Sequence, residues 1–565
     1  MITTTIHKSC IALVDILKER GIRNVVLSPG SRNAPLITVF SRDDFFDKKI
    51  IIDERAAAFF ALGMAQQCGK PVVLVCTSGT AMLNYAPAVA EAYYQSIPLI
   101  IVTADRSHEW IDQDDSQTIR QNNALSSIVK RSYDIDSSES DWYVNRMLND
   151  ALITATTGYK APVHINMQFA NALYDVEKRT SAPARVIERI ESLGLPSAEV
   201  MESLARQFYA NRRVLIIAGF GVPSKRLSQG IDTLASLPNV VVMTETISNI
   251  QSDKTIKAID RTLLVAGDVD ITPDLLITFG GSLVSRFIKN YLRNHRAAQH
   301  WHVSLRDNLI DTMQSLTKSI YASPEEFVAE LSKLLEPDKC NGEYNKLLHD
   351  INEKGLQRHN EIIETSQDWC DMMAMRTIFN RMPQSGWQLH LSNGTPVRYA
   401  QLFAENVEIP CYCNRGVSGI DGATSTAIGS SLVFEGKTLL ITGDMSFIYD
   451  LGGLASQYKN PRMKIIVMCN GGGGIFRFIS GESKQSVLED FYEVHYDYRI
   501  AEIASAMGYD VLNAVNETEL ESSLGKLFAS ETPTVLLVHT PGDLSGKTLK
   551  NYFNIKIWQQ EIGKQ

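Results

Sequence analysis

Two short segments carry the clearest chemistry in the chain. G-D-M-S (443–446) places Asp444 just after the apolar run KTLLIT, and C-N-G-G-G-G (469–474) places Asn470 just after KIIVM, about 26 residues later. The stretch between them, SFIYDLGGLASQYKNPRM, has the length of one crossover helix. A right-handed crossover of that size puts Asp444 and Asn470 at the same end of neighbouring parallel strands. One carboxylate, one amide oxygen and a backbone carbonyl from a glycine turn form a hard, oxygen-rich set that suits Mg2+ bridging to phosphate oxygens. Gly443 and the glycines at 471–474 let the backbone approach a phosphate closely. G-D alone is an ordinary capped turn; its pairing with a second strand end is what makes the pattern specific. A second acid, Glu54, follows KIIID (49–53) and opens RAAAFFALG. Taken alone it is a helix-start acid favoured by the dipole.

Such residues need a sheet to hold them. Apolar strand runs alternate with helical stretches almost throughout. A first set is NVVLS (24–28), KIIID (49–53), PVVLVCTS (71–78), PLIIVTA (98–104) and APVHINM (161–167). A second is RVLIIAG (213–219), NVVVMTE (239–245), DLLITFG (274–280) and HWHVSL (300–305). A third is QLHLS (388–392), KTLLITGD (437–444), KIIVMCN (464–470) and TVLLVHT (534–540). Continuous Val/Ile/Leu runs separated by helices, such as RAAAFFALGMAQQ stopping near Gly69, indicate parallel sheets covered on both faces. The expected fold is therefore α/β, with three doubly wound parallel-sheet domains. Polar segments at 176–197 and 336–360 are the candidate boundaries. In such sheets ligands bind outside the carboxyl ends of the strands. The segments to read are thus SPGSR (28–32), DER (53–55), CTSGTA (76–81), TADR (103–106), SNGTPVR (392–398), TGDMS (442–446) and CNGGGG (469–474).

Composition bounds the partners. The chain has 565 residues, 44% hydrophobic and 21% charged, which excludes a disordered, collagen-like or disulfide-dense protein. Its net charge of −9 gives no general field for nucleic acid, so any anionic ligand needs locally placed cations. The eight cysteines include no C-x-x-C pair and no zinc-like spacing; Cys411 and Cys413 share one face of a strand. A reduced, cytoplasmic setting is expected. The N-terminus reads as an amphipathic helix ending at Gly21, without the pattern of a signal or transit peptide. No run approaches the roughly 20 apolar residues of a membrane span.

G-D-M-S followed one crossover later by Asn470 resembles the motif of thiamine-diphosphate (ThDP) enzymes, G-D-G/S and then N or NN. That resemblance implies that Asp444, Asn470 and the carbonyl of Gly472 ligate Mg2+ (or Mn2+). It implies a cofactor lined by Thr77, Ser78, Gly79, Gly443, Met445 and Ser446, with Ile420 as the apolar wedge that keeps it bent. It also implies that Glu54 is the catalytic carboxyl. Facing the aminopyrimidine ring, this group hydrogen-bonds the ring nitrogen and favours the imino form that removes the thiazolium proton. A carboxyl with that task belongs in a dry place. The resemblance divides the chain into a pyrimidine-binding domain (1–180), a central α/β domain (181–345) and a diphosphate- and Mg-binding domain (346–565). Because the family pins its cofactor between the first domain of one subunit and the last of another, a homodimer or a dimer of dimers is expected.

Within that family, SPGSRNAPL (28–36), DERAAAFFALG (53–63), CTSGTA (76–81), TADR (103–106), NRGVSGIDG (414–422) and GDMSFIYDLGGL (443–454) are similar to the menaquinone-pathway branch. These are the synthases of 2-succinyl-5-enolpyruvyl-6-hydroxy-3-cyclohexene-1-carboxylate (SEPHCHC). The resemblance implies a transferase that decarboxylates 2-oxoglutarate and adds the succinyl carbanion equivalent to isochorismate in a 1,4 fashion. Two dicarboxylates call for several cations, preferably arginines with their planar fork. Arg32, Arg106, Arg398 and Arg415 stand at strand ends in the matching motifs, and Ser31, Ser116, Gln117 and Arg120 match the isochorismate side. Ile475 and Phe476 match apolar positions beside the reacting carbons. Two departures stand out. S-N-G-T-P-V-R puts Gly394 where the family often has serine, and Arg286 stands where a lysine is frequent. In the middle, G-F-G (219–221) lacks the third glycine of a dinucleotide fingerprint, which favours a structural or substrate-capping role. Another ThDP-dependent 2-oxo acid decarboxylase or carboligase would share Glu54, Asp444 and Asn470 without needing the arginines. A non-catalytic nucleotide-binding protein on an α/β scaffold is the other alternative.

Overall fold

A strand covered on both faces has to be apolar at nearly every position, and the Val/Ile/Leu runs fold accordingly. The computed structural model describes residues 3–554, 556 and 558, apart from 137, 171, 180, 181, 193, 367, 479–486 and 494–497. The first sheet comprises β1 (Asn24–Leu27), β2 (Asp47–Ile50), β3 (Val72–Cys76), β4 (Leu99–Asp105), β5 (Arg131–Ile135) and β6 (Val163–Gln168). All of its pairs are parallel, in the order β2-β1-β3-β4-β6-β5. The second comprises β7 (Val214–Ala218), β8 (Val240–Thr244), β9 (Leu275–Phe279), β10 (Gln299–Ser304) and β11 (Lys318–Tyr321), again parallel, in the order β8-β7-β9-β10-β11. The third comprises β12 (Trp387–Leu391), β13 (Cys411–Cys413), β14 (Lys437–Gly443), β15 (Met463–Cys469), β16 (Asp510–Ala514) and β17 (Thr534–His539), ordered β13-β12-β14-β15-β17-β16. The first and third sheets thus repeat one strand order. A short antiparallel pair, Thr3–Thr5 with Val176–Lys178, stands apart.

Among the described residues five strands escape the sequence reading: Thr3–Thr5 and Val176–Lys178, which pair with each other, and β5, β11 and β16, each of which closes an edge of its sheet. Edge strands are partly solvated, so several of their residues are exposed and no continuous apolar run marks them. β2 ends at Ile50, three residues short of the expected strand, because Asp53 caps the next helix: its Oδ1 accepts the Ala56 N–H at 3.2 Å. That helix, α1 (Glu54–Cys68), stops at Gly69, whose left-handed φ of 65° closes the C-terminus. The polar segment around 336–360 is largely a 22-residue helix, Tyr344–Thr365. G-F-G packs tightly: a Cβ on Gly219 would lie 1.8 Å from the Gly281 carbonyl oxygen, which accounts for that glycine structurally. All eight cysteines are free thiols, six of them buried.

The chain divides into two compact units. The first contains Met1–Glu191 with Asn414–Thr438 and Ser446–Met463, and the second contains the remainder. In the first unit α1 packs on α2 (Ala423–Ser431) through small residues. A Cβ on Gly63 would lie 1.9 Å from the Thr426 carbonyl oxygen, and one on Gly429 would lie 2.2 Å from that of Phe60. The start of α2 is held by Asp450, whose carboxylate takes both the Ser425 N–H and the Ser425 hydroxyl at 2.6 Å. Burial pushes the Asp450 carboxyl up to about 7, against the pull of those two bonds. A raised carboxyl holds its proton in the folded state, so its contribution is complete below about pH 4 and is lost as pH rises through about 7. Asp450→Asn, neutral at every pH, is expected to gain stability relative to the parent between pH 4.5 and 8, on the order of 4 kcal/mol at most. Urea unfolding midpoints at both pH values measure it; a pH-independent difference between the two proteins would contradict the assignment.

Candidate functional site

In the first unit the residues singled out from sequence meet at the carboxyl ends of β1 to β4. The loop after β1 is closed by fully buried Asn33, which accepts the Gly30 N–H and donates to the Ser28 carbonyl, both at 2.9 Å. A Cβ on Gly30 would lie 2.4 Å from the Thr77 side chain, so the β1 and β3 loops touch directly. Thr77 and Ser78 are buried, and the Thr77 Oγ1 is a buried polar atom with no hydrogen-bond partner. Gly79, at φ 85°, donates its N–H to Gln121 Oε1 at 2.7 Å. Gln121 is itself fixed by donating to the Ala104 carbonyl (3.2 Å) and to Asn166 Oδ1 (2.8 Å). Asn166 donates to the carboxylates of Asp105 (2.9 Å) and Asp134 (2.8 Å). A carboxylate only accepts, so the two aspartates set the direction of every amide in the chain and thereby the aim of Gly79.

Glu54 is the first residue of α1, beyond the Asp53 cap. The expectation of a dry carboxyl is not met within the single chain: Glu54 is half-buried. A helix start keeps an acid favourably placed against the dipole while water still reaches it. Behind it lie Cys76 and Tyr85, both fully buried. Burial is the main cause of their raised thiol and phenol, and the nearby Glu54 charge adds to it.

Arg32 is half-buried and donates to the Phe169 carbonyl at 3.1 Å. Its guanidinium is pulled below the usual arginine range, first by burial and then by the like charge of Arg106. Arg106 pairs with Asp115 at 2.8 Å and donates to the Ser116 carbonyl at 3.1 Å. Gln117 takes a left-handed backbone, and its carbonyl lies 3.4 Å from where a Cβ on Gly79 would sit. Ser31, Ser116 and Gln117 are exposed, as is Arg120, which pairs with Asp112 at 2.7 Å. Arg415 is buried at the head of a loop that Glu91 fastens by accepting the Gly416 and Val417 N–H groups at 2.6 and 2.8 Å. Ile420, on the same loop, is 37% exposed, and its carbonyl takes the Ser446 hydroxyl at 2.8 Å.

In the second unit Asp444 lies at the end of β14 and Asn470 at the end of β15. Asp444 is 7% exposed. One of its oxygens accepts the Met445 N–H at 2.7 Å, and the other accepts those of Gly471 and Gly472 at 3.1 and 2.9 Å. Burial raises its carboxyl, and these backbone N–H groups oppose that. Gly471, Gly472 and Gly473 all have left-handed φ (90°, 85°, 62°), a run in which any side chain would be strained. Gly443 donates its N–H to Ser392 Oγ at 3.3 Å, and a Cβ there would meet no atom within 4 Å. Ile475 and Phe476 follow on a short helix, with Phe476 against Tyr492, ring centroids 5.4 Å apart. Arg398 donates to the Gly394 carbonyl at 3.2 Å. Gly394 itself has φ 96°, a conformation that suits glycine and would strain the serine often found there. Asp260, whose carboxyl burial raises to about 6, is bonded by the Ser285 hydroxyl and lies close enough to Arg398 to feel its charge. Arg286, next to Ser285, is exposed.

Side chains that shape these loops without having been singled out from sequence include Asn33, Gln121, Glu91 and Asp371. Gln121 directly follows Arg120, but Glu91 and Asp371 sit in helical stretches where an acid looks like ordinary solvent-facing composition. Asp371 is 2% exposed and accepts the Asn470 side-chain N–H at 2.8 Å.

Residues 10–125 match the domain family described as thiamine pyrophosphate enzyme, N-terminal TPP binding domain, and residues 393–538 match its C-terminal TPP binding domain. The chain is 44% identical, over 97% of its length and 96% of the relative's, to a 2-succinyl-5-enolpyruvyl-6-hydroxy-3-cyclohexene-1-carboxylate synthase of Porphyromonas gingivalis. The chain belongs to the SEPHCHC synthase family. Further members of that family are 38% identical in Flavobacterium psychrophilum (96% of this chain, 98% of the relative) and 33% identical in Bacteroides thetaiotaomicron (97% and 98%). Among solved structures, a benzoylformate decarboxylase from Polynucleobacter necessarius superposes with a TM-score of 0.71 at 17% identity, covering 95% of this chain and 98% of that one. That likeness establishes the fold. As a member of the SEPHCHC synthase family the chain is a ThDP enzyme.

The residues present fit the cofactor and a cation. The second unit offers an open cradle at Gly443, three left-handed glycines, and a carboxylate and a carboxamide at adjoining strand ends; the first offers the orphaned Thr77 hydroxyl beside Glu54's helix. No cluster of three or more His, Cys, Asp or Glu suited to a metal occurs among the described residues. A cation taken up by Asp444 and Asn470 would have to complete its shell with backbone, phosphate and water oxygens, a donor set that suits Mg2+. The two matched domains contain every nominated residue except Arg286.

Proposed function

We propose that this chain decarboxylates 2-oxoglutarate and adds the remaining succinyl unit to isochorismate in a 1,4 fashion, yielding SEPHCHC for menaquinone biosynthesis. Family membership supports the reaction, and the observation that carries the substrate class is the pair of arginines placed at the ends of β1 and β4, Arg32 on the Phe169 carbonyl and Arg106 on Asp115 and the Ser116 carbonyl, with the charge of Arg106 acting on Arg32. Asp115 offsets Arg106, and because guanidinium forks match carboxylates an incoming substrate carboxylate is expected to compete with that acid for the pair. In this reading Arg32, Arg106, Ser31, Ser116, Gln117 and Arg120 bind and orient substrate from the first unit together with Arg415. Arg398, Arg286, Ile475 and Phe476 do so from the second.

Thiamine diphosphate, when bound, supplies the nucleophilic carbon on which a 2-oxo acid loses CO2. Glu54 holds and returns the proton at the pyrimidine ring nitrogen. Thr77, Ser78, Gly79 and Ile420 shape the pyrimidine side. Gly443, Met445 and Ser446 line the diphosphate side, and Asp444, Asn470 and the Gly472 carbonyl hold Mg2+ or Mn2+. The working assembly is a homodimer or a dimer of dimers in the cytoplasm, built of domains 1–180, 181–345 and 346–565. No helix among the described residues is long and apolar enough to cross a membrane, and a net charge of −9 gives no general field for nucleic acid.

Turnover decides the reading. With ThDP and Mg2+ present, 2-oxoglutarate is expected to be consumed rapidly only when isochorismate is also supplied, with one CO2 released per SEPHCHC formed. Ready aldehyde release from 2-oxoglutarate alone, with isochorismate ignored, identifies a different ThDP decarboxylase.

A further inference from the structure

Asn470 supplies a carboxamide, and a carboxamide has two nearly isosteric ends, only one of which ligates a cation. Something must choose between them. The Asn470 Nδ2 donates to Asp371 at 2.8 Å, and no donor among the described residues reaches its Oδ1. Asp371 is the first residue of the helix Asp371–Arg381 and lies outside the matched C-terminal domain. Its carboxylate is buried, its other oxygen accepts the Thr540 hydroxyl, and its own N–H donates to Ser545 Oγ at 2.9 Å. Gly542, just past β17, passes so close that a Cβ on it would lie 2.3 Å from the Asn470 carbonyl oxygen. The main chain of Asn470 is thus pinned by one neighbour and its side chain by another. Both Asp371 oxygens are already engaged as acceptors, one by the Asn470 N–H and the other by the Thr540 hydroxyl, so turning the Asn470 amide over would set its oxygen against an accepting oxygen. The buried bond to Asp371 permits one orientation only.

We propose that Asp371 is the positioning residue of the cation site: it takes the Asn470 N–H and thereby presents Asn470 Oδ1 to the metal. This rests on the reading of Asp444, Asn470 and the Gly472 carbonyl as ligands and adds the group that orients them. Outer partners that fix a ligand's orientation typically change metal affinity 10–100-fold when removed. The bond also links the helix Asp371–Arg381 directly to the site.

The test is Mn2+ binding to the full-length protein in saturating ThDP, read from the electron paramagnetic resonance signal of free Mn2+, with circular dichroism to confirm folding. Asp371→Leu, which keeps bulk but accepts nothing, is expected to weaken Mn2+ about 10–100-fold. Asp371→Asn keeps the shape but lets either end of its own amide face Asn470, and is expected to lose about threefold to tenfold, since a charged acceptor is replaced by a neutral one. Wild-type Mn2+ affinity in Asp371→Asn, or in a folded Asp371→Leu, overturns the proposal; should Asp371→Leu not fold, Asp371→Asn decides. Asn470→Ala separates the two layers. If it binds Mn2+ as the parent does, the ligand reading itself is wrong. If it loses affinity while the Asp371 variants do not, only the positioning role is.

Discussion

Replacing Glu54 by Gln is expected to lower kcat by about 10²–10⁴-fold while the fold and ThDP affinity stay close to those of the parent. The argument is local. Glutamine has the same length and sits equally well at the first position of α1, where Asp53 supplies the cap through the Ala56 N–H. An amide can still hydrogen-bond a ring nitrogen, so cofactor binding survives, but it cannot share a proton with that nitrogen. Cys76 and Tyr85, buried behind Glu54 with their protons held more tightly than usual, offer no substitute base near neutral pH. Steady-state turnover paired with a calorimetric ThDP titration measures both halves. Activity within tenfold of the parent would mean that the essential proton moves elsewhere.

The second large effect is expected at Asp444. Asp444→Ala is expected to weaken Mg2+–ThDP binding by more than about 100-fold, since even outer-shell changes at metal sites cost 10–100-fold. Two losses combine. The alanine removes the one carboxylate offered to the cation, and it also releases the Met445, Gly471 and Gly472 N–H groups that the carboxylate gathers. Buried N–H groups left without acceptors are costly in themselves, so the glycine turn loosens as the charge goes. Asp444→Asn separates the effects: one oxygen remains to hold the turn, while the charge is absent. Asn should recover part of the structural loss and little of the cation affinity. A calorimetric titration of Mg2+ with ThDP that gives Asp444→Ala an affinity within threefold of the parent would remove this residue from the site.

Much of this arrangement could be read from the chain because buried parallel strands are written in continuous apolar letters. β1, β3, β4, β7, β9, β14, β15 and β17 are all of that kind, and most of the nominated residues stand at or just after the ends of β1, β3, β4, β14 and β15. What could not be read has a common cause. β5, β11 and β16 lie at sheet edges, where one side is solvated and the pattern dilutes. Asp371, Glu91 and Gln121 act across long sequence separations on backbone or amide groups, and nothing in a helix's own periodicity marks an acid that points inward. Glu54 shows a different limit. Its position after β2 was legible, but the dryness expected of it is a property of what covers the helix start, and within one chain it is half-buried.

The contact between α1 and α2 bears on how precisely that carboxyl is placed. Gly63 and Gly429 allow the two helix backbones to meet carbonyl against Cα, with no flexible side chain between them to absorb error. An α-helix is stiff along its axis, and Gly63 lies about 13 Å along α1 from Glu54 at 1.5 Å per residue. The glycine contact therefore acts as a mechanical stop that sets the axial position of a residue it never touches. A misplacement of about 1 Å at reacting groups can cost roughly 100-fold in rate. The dimensional tolerance of the acid is fixed well away from it along its own helix, where any side chain at Gly63 would meet the Thr426 carbonyl.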